Sequence, residues 1–536
     1  MARGVRISPA AASWPALLCV WLAALAAALV WRPLLPVDET RYATVAWEMW
    51  QRGDFLVPYL NGEPYSHKPP LYFWLIHAGW WLFGVKEWVV RAIAPLVTLA
   101  CLVATAFLAR QLWPGERLLA RLAPWVLFSA FPLMAFYTWV QFDMLLVLAT
   151  LLAMTGFIQV SRGRRRGWVL VGGAIGMGVL AKGPVILLHV LPAGLLAPLW
   201  KRADSRRSWI GWYAGLALSV LLGALLALAW ALPAAEAGGE AYRQAILWGQ
   251  TADRLVASFA HAHPVWWYLP WLAVLFAPWC YLPWVWVQFR QLRPARDPGV
   301  RFCLVWLLAV FVLMSLVSGK QVKYLLPLLP AFALLLVRLL ATMEPRPVMQ
   351  RPWILGGLLL ALGVAAMLLP GRLDEPAWLA AINPAWAGLL VAVALVIMIV
   401  KPLRPASYPV YMTLISALVA GIVPLGVFRA GAHAYDMHAV SRVIGEAQSS
   451  GRTVAMLRGY HGQFGFEGRL TAPIHTFGKG QSEQWARQHP DDYLVVISGE
   501  PFAADSAALF TQPYRGGYLG VFTGEAVLRN SKDLLE

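Results

Sequence analysis

Charge is scarce in this chain. Of its 536 residues only 13% are charged, about half the share of an ordinary soluble domain. Acids are scarcer still, with 27 Asp and Glu against 44 Lys and Arg. Cysteine is nearly absent: Cys19, Cys101, Cys280 and Cys303 lie in or beside apolar runs, with no CxxC and no Cys/His spacing. This excludes a disulfide framework and a cysteine-ligated zinc site. The low charge, together with 60% hydrophobic residues and a mean hydropathy of +0.60, excludes a disordered chain and a plain water-soluble enzyme.

What is abundant is long apolar sequence and tryptophan, 29 residues of it, which favours membrane–water interfaces. Runs near the ~20 residues a spanning helix needs occupy 14–31, 88–112, 118–138, 142–160, 167–181, 184–200, 210–232, 266–288, 301–318, 324–342, 353–370, 384–402 and 408–428. They predict a polytopic α-helical membrane protein with about 13 spans. The run 71–84 follows Pro69 and Pro70 and is short for a span; it is read as an interfacial or re-entrant helix. The excess of +17 is dispersed in short clusters between runs, not in one patch, which argues against nucleic-acid binding. Basic loops at Arg162 to Arg166, Lys201 to Arg207, Arg290 to Arg301 and Lys401 to Arg404 mark one face as cytoplasmic. With thirteen spans they share that face with Arg3 and Arg6. The N-terminus is then inside and the C-terminus outside. The first run exceeds the ~7–15 residues of a signal-peptide core and is read as an anchor.

Two long segments fall on the outer face, 32–87 and 233–265. Hydropathy collapses after residue 428. The division expected is a membrane domain over 1–428, whose first outer loop (32–87) carries juxtamembrane helices, and a small α/β domain over 429–536. β-like runs lie at Val454–Leu457, Tyr493–Ser498 and Tyr518–Thr523, with helix-like stretches at 441–448 and 481–488.

Ionisable residues near membrane depth are costly and are functional candidates by default. In Val37-Asp38-Glu39-Thr40-Arg41-Tyr42, paired carboxylates and an Arg suit general-base work beside a phosphate; an acidic helix N-terminus accounts for them equally well. In Asn61-Gly62-Glu63-Pro64-Tyr65-Ser66-His67-Lys68-Pro69-Pro70, turn-forming pairs hold Lys68 on a stiff backbone, although a snorkelling lysine would look the same. Asp143 is a lone acid at a span start, and Lys182 a lone lysine beside a helix-breaking Gly183-Pro184. Arg254 precedes His261, His263 and the aromatic Trp266-Trp267-Tyr268. The two histidines have a metal-like spacing without a third ligand, as do His433 and His438. Lys320, Lys323 and Tyr324 complete a set of isolated polar groups on one membrane face. Together they suit a donor with a phosphate and a long lipid tail.

These motifs, in this order, resemble the protein mannosyltransferase-like superfamily of GT-C glycosyltransferases, and within it the bacterial lipid A aminoarabinose transferases. The resemblance rests on Asp38 to Tyr42, Gly53 to Pro58, Asn61-Gly62, Lys68-Pro69-Pro70, Ala181 to Pro184, Arg254, Trp266 to Tyr268 and Lys320 to Pro327. It covers most of the membrane part, while the tail resembles the family only in position and size. It implies transfer of a sugar from undecaprenyl phosphate, with aminoarabinose the sugar expected, to lipid A at the outer side of the bacterial inner membrane. Asp38 would be the catalytic carboxylate and Asp143 a second acid. Arg41, Lys68, Lys182 and Arg254 would hold the donor phosphate. Glu39, Tyr42, Tyr65, His67, Lys320, Lys323 and Tyr324 would line the site. No cofactor is implied, and dependence on a divalent metal is left open. The chain departs from the aminoarabinose enzymes at Pro36, where an acid is usual, and at His67, where Glu is usual. The same reaction with another sugar, a core saccharide or a protein acceptor therefore stays open. A lipid-linked sugar transporter would place broken helices and charges at mid-membrane, often in repeats; here they cluster at helix ends.

Overall fold

The computed structural model describes residues 4–5, 12–201, 206–248, 262–342, 352–370, 372, 383–402, 405–423, 426, 431–503 and 506–529. All thirteen apolar runs are helical over much of their described length. Ser13 caps α1 (Trp14–Trp31) by accepting from the Ala16 N–H. Next come α2 (Asp38–Arg52), α3 (Leu71–Phe83), α4 (Glu87–Leu112), α5 (Arg117–Phe128) and α6 (Phe131–Phe136). Then follow α7 (Asp143–Ser161), α8 (Gly167–Lys182), α9 (Ile186–Leu195), α10 (Ala197–Trp200), α11 (Arg206–Ala237) and α12 (Glu240–Gln244). The later helices are α13 (Tyr268–Leu275), α14 (Pro283–Phe289), α15 (Pro298–Leu316), α16 (Leu329–Thr342), α17 (Trp353–Leu368), α18 (Pro384–Ile399) and α19 (Tyr408–Val423). Six helical segments among the described residues are long and apolar enough to cross a membrane, and seven apolar ones are shorter.

Two expected spans are interrupted. The run 118–138 splits between α5 and α6, where Pro132 opens the second piece. The run 266–288 breaks at Pro278 and Pro283 into α13, a 3-10 turn and α14. Proline removes a helical N–H and clashes with the preceding turn. The run 71–84 becomes the 13-residue α3, whose Tyr72, Phe73, Ile76 and Trp80 are buried.

Small residues set the closest helix packing. A side chain on Gly156 or Gly167 would meet the other's carbonyl oxygen at 2.7 and 2.5 Å, and one on Gly172 would strike Leu222 of α11. In a bilayer, such close backbone approach substitutes for hydrophobic driving force.

Beyond the last long apolar helix the chain forms a five-stranded sheet. In chain order the strands are β1 (Val454–Leu457), β2 (His475–Phe477), β3 (Tyr493–Ser498), β4 (Phe510–Tyr514) and β5 (Gly517–Thr523). The spatial order is β2-β1-β3-β5-β4; β1 runs parallel to β2 and β3, and β5 antiparallel to β3 and β4. Alternation along β1 sends Val454 and Met456 to one core and Ala455 and Leu457 to the other. Helix α20 (His438–Ser449) covers the first face; α21 (Ser482–Gln488) and α22 (Gly524–Arg529) cover the second. The sequence pattern located β1, β3 and β5 but not the more exposed β2 and β4.

The sheet unit is latched to the first outer segment by the loop 460–474. Thr44 of α2 donates to the Gly462 carbonyl at 2.9 Å and accepts from the Phe466 N–H. Trp47 reaches the Leu470 carbonyl, and Asn61 exchanges two hydrogen bonds with Ile474. Phe466 stacks on Trp80 of α3, with ring centroids 5.3 Å apart. Gly465 is required by this approach: a Cβ there would sit 2.4 Å from Thr44 Cγ2.

Candidate functional site

The first turn of α2 carries two adjacent carboxylates that point to different fates. Glu39 is 2% exposed and accepts a two-pronged ion pair from Arg32, at 2.5 and 3.0 Å, plus the N–H groups of Leu35 and Val140. Arg32 also donates to the Thr138 carbonyl. Glu39 thus ties the end of α1, the start of α2 and the loop before α7 together, with its lone pairs consumed. Asp38 has a side chain 52% exposed and an ion pair to Arg41 one turn on. Glu39 is therefore placed beneath the site rather than on its wall.

Tyr42 connects this turn to α7. Its ring meets Phe142 edge-on at 4.9 Å, and its hydroxyl lies in the field of Asp38, Tyr65, Arg41 and Asp143. Burial and the charge of Asp38 hold the phenol well above its usual value, so it stays a neutral hydrogen-bond donor. Tyr65 is buried and stacks obliquely on the exposed His67 at 5.1 Å. Lys68 projects over the Phe142 ring, 5.8 Å from its centroid.

At the next corner Asp143, first residue of α7, accepts from Lys182, last residue of α8, at 2.5 Å. Both side chains are buried, 6% and 11% exposed. Gly183, at φ 81°, turns the chain away immediately after Lys182. The Lys182 ammonium also lies over the Tyr324 ring at 4.5 Å. Lys323 and Lys68 join Lys182 in acting on the Asp143 charge.

The structure therefore brings Asp38, Arg41, Tyr42, Tyr65, His67, Lys68, Asp143, Lys182, Lys323 and Tyr324 into one neighbourhood. Two carboxylates face four cations, an excess suited to a phosphate. Lys320 does something different: its buried ammonium caps backbone carbonyls, donating to His263 at 2.9 Å and to Val317. Arg243 lies exposed on α12 beside Glu240. Arg254 and His261 fall outside the described residues. His263 stacks flat on Trp267 at 4.4 Å, and no grouping of three or more metal-ligating side chains occurs among the described residues.

Sequence reasoning missed Arg32, the latch loop and His461, which lies in the field of Arg41 and Arg515. The available signal was the Gly462-Gln463-Phe464-Gly465-Phe466 run, whose glycines permit close backbone approach.

Comparison with known proteins places this arrangement in a class. Residues 67–230 match the family described as dolichyl-phosphate-mannose-protein mannosyltransferase. The fold is that of ArnT from Cupriavidus metallidurans, in the crystal structure bound to undecaprenyl phosphate, with a TM-score of 0.76 over 96% of this chain and 98% of that one at 19% identity. The chain is thus a multi-pass membrane protein with the fold of that structure. More particularly, it resembles the undecaprenyl phosphate-α-4-amino-4-deoxy-L-arabinose arabinosyl transferases. It is 30% identical to that of Edwardsiella ictaluri over 58% of this chain and 55% of the relative. It is 33% identical to that of Pseudomonas aeruginosa over 56% and 54%. The chain spans about half the length of the curated relatives it matches.

Proposed function

We propose that the protein is an inner-membrane glycosyltransferase that moves 4-amino-4-deoxy-L-arabinose from undecaprenyl phosphate to lipid A. The observation that carries this reading is the cluster of Arg41, Lys68, Lys182 and Lys323 around Asp38 and Asp143, a group of helix-end side chains with net positive charge. In this reading the bundle, residues 1–428, is the catalytic domain and residues 429–536 a periplasmic one, with the N-terminus cytoplasmic. The one-sided basic loops support that orientation. A reporter fused after Glu536 tests it; cytoplasmic reporter activity would reverse it.

An acceptor phosphate oxygen attacks the anomeric carbon as the sugar–oxygen bond to the polyprenyl phosphate breaks, and the bonding pair leaves with that phosphate. Lys182, Lys68 and Arg254 offset the charge appearing there in a low-dielectric interface. Asp38 is half-exposed and, among the described residues, held by Arg41 alone, so it can orient the acceptor and take any residual proton; general-base assistance typically contributes about 10²–10⁴-fold. Neutral Tyr42 stands in the field of both acids.

Purified protein incubated with undecaprenyl phosphate-aminoarabinose and lipid A should raise lipid A by the mass of one aminoarabinose. Transfer only from a different polyprenyl phosphate sugar would keep the reaction class and reject this substrate. His67 and Pro36, together with the mannosyltransferase family match over 67–230, favour such a second reading, with another sugar or a saccharide or protein acceptor.

A further inference from the structure

The ends of α4, α7 and α16 opposite the candidate site, with the start of α15, enclose a cavity of about 1000 Å³. Asp143 and Arg162 flank α7, whose 19 residues span about 28 Å, close to the thickness of a hydrocarbon core. The cavity thus lies at the headgroup level of the other leaflet.

Its wall is built, not merely basic. Asp297 accepts from the Trp113 indole at 3.0 Å and from Arg338 at 2.7 Å, and it also caps α15 through the Val300 N–H. Arg338 continues to Glu116 at 2.6 Å. Both acids lining the cavity are therefore already engaged. Four further arginines line it: Arg162 after α7, and Arg290, Arg293 and Arg296 from the loop before α15. None is within ion-pair distance of a carboxylate among the described residues. Basic loops on this face are expected from membrane topology alone. Topology does not require loops more than a hundred residues apart to converge on one concave wall, with an indole at the rim and the local acids used up.

We propose that this cavity is a binding site for the phosphates of an anionic phospholipid headgroup. Arginine forks match phosphate oxygens bidentately, and basic pockets between helix ends on the cytoplasmic side bind such headgroups. Four arginines with no carboxylate partner among the described residues suit a headgroup with two phosphates. A membrane lipid rather than a soluble phosphate is favoured because the half-buried Leu112 and the exposed Pro114 and Pro298 line the same cavity and offer apolar surface to the start of the acyl chains.

The test is native mass spectrometry of the full-length protein with tetraoleoyl cardiolipin, dioleoylphosphatidylcholine or inorganic phosphate as probes. Wild type should retain cardiolipin in preference to phosphatidylcholine. Arg293→Gln and Arg296→Gln should each weaken retention about fivefold, and the double variant about 25-fold, while a distant control, Arg243→Gln, should not. Melting temperature without lipid should be unchanged in the two variants, which separates lost binding from lost folding. Equal retention of cardiolipin and phosphatidylcholine, undiminished cardiolipin in the double variant, or protection by inorganic phosphate equal to that by cardiolipin would each overturn the proposal.

Discussion

The start of α2 and the α7–α8 corner each hold one aspartate against one cation, but in different dielectric settings. Asp38 and Arg41 are 52% and 21% exposed; Asp143 and Lys182 are 6% and 11% exposed. An exposed pair is worth about 0–1 kcal/mol, so either partner can be exchanged for a substrate group at small cost. A buried pair is different: removing one partner strands a charge, at about 3–5 kcal/mol. On the proposed function, the first corner is the one arranged to react, and the second holds the Lys182 ammonium in a fixed place.

The sharpest way to break this comparison is Asp38→Asn. The variant should fold and insert, with stability within about 0.5 kcal/mol of wild type, as for a surface change, and lose about 10²–10⁴-fold in turnover. Sugar transfer and thermal melting measured on the same preparation decide it. Retained turnover would reduce Asp38 to a helix-terminus acid.

Next in size are the buried pairs. Lys182→Ala should cost about 3–5 kcal/mol of stability in addition to weakening donor binding. A double variant, Asp143→Asn with Lys182→Met, removes both charges and should recover most of the stability but none of the transfer. If the double variant regained activity, the pair would serve architecture alone. Glu39→Gln strands Arg32 in the same way and should cost about 3 kcal/mol or more. Its turnover per folded molecule should stay near normal, because Glu39 lies beneath the site. Parallel losses of turnover in Glu39→Gln and Asp38→Asn would remove the distinction between the two neighbours.

The bundle was legible because span length and the sidedness of Lys and Arg are properties of sequence alone. The sequence pattern gives 118–138 and 266–288 as unbroken spans and misses their breaks, although Pro132, Pro278 and Pro283 lie within them. The neighbourhood of Asp38, Lys68, Asp143 and Lys182 could be gathered only as lone charges at helix ends on one face. What could not be read is which charges meet. Asp143 and Lys182 are 39 residues apart, and nothing in their spacing marks a pair. Glu39 and Asp38 are neighbours with the same chemistry, separated only by Arg32 and two backbone N–H groups. The latch of residues 460–474 is made chiefly of side chains on backbone carbonyls and N–H groups, which leave little trace in residue type. Lys320 reads as an isolated cation, yet it is used on two carbonyls.

The smallest effect expected lies where the sheet unit meets α4. His438 is bonded to Asp436 at 2.7 Å and to Glu87 at 3.0 Å, with Glu467 4.0 Å away; Arg91 pairs with Glu87, and Arg469 sits in the field of both glutamates. Hydrogen bonds to Asp436 and Glu87 raise His438 to about 10, and burial raises Glu467 to about 8. A histidine raised in the folded state stabilises fully below about 6.5 and loses that contribution as pH climbs through 10. A buried carboxyl raised in the folded state loses stability between about 4.5 and 8 as the unfolded chain ionises first. Both trends point the same way, so the junction should weaken as solution becomes alkaline. Asp436, held low chiefly by its hydrogen bond to His438, acts only on the acid side. Because His438 is 46% exposed, solvent screening keeps its share to about 1 kcal/mol or less. Melting of wild type should fall between pH 8 and 10, where Glu467 no longer contributes, and His438→Gln should flatten that interval. Equal slopes in the two proteins would show that the histidine's bonds to Asp436 and Glu87 carry no proton-linked stability, leaving the Thr44, Trp47 and Asn61 contacts to hold the sheet unit on the bundle.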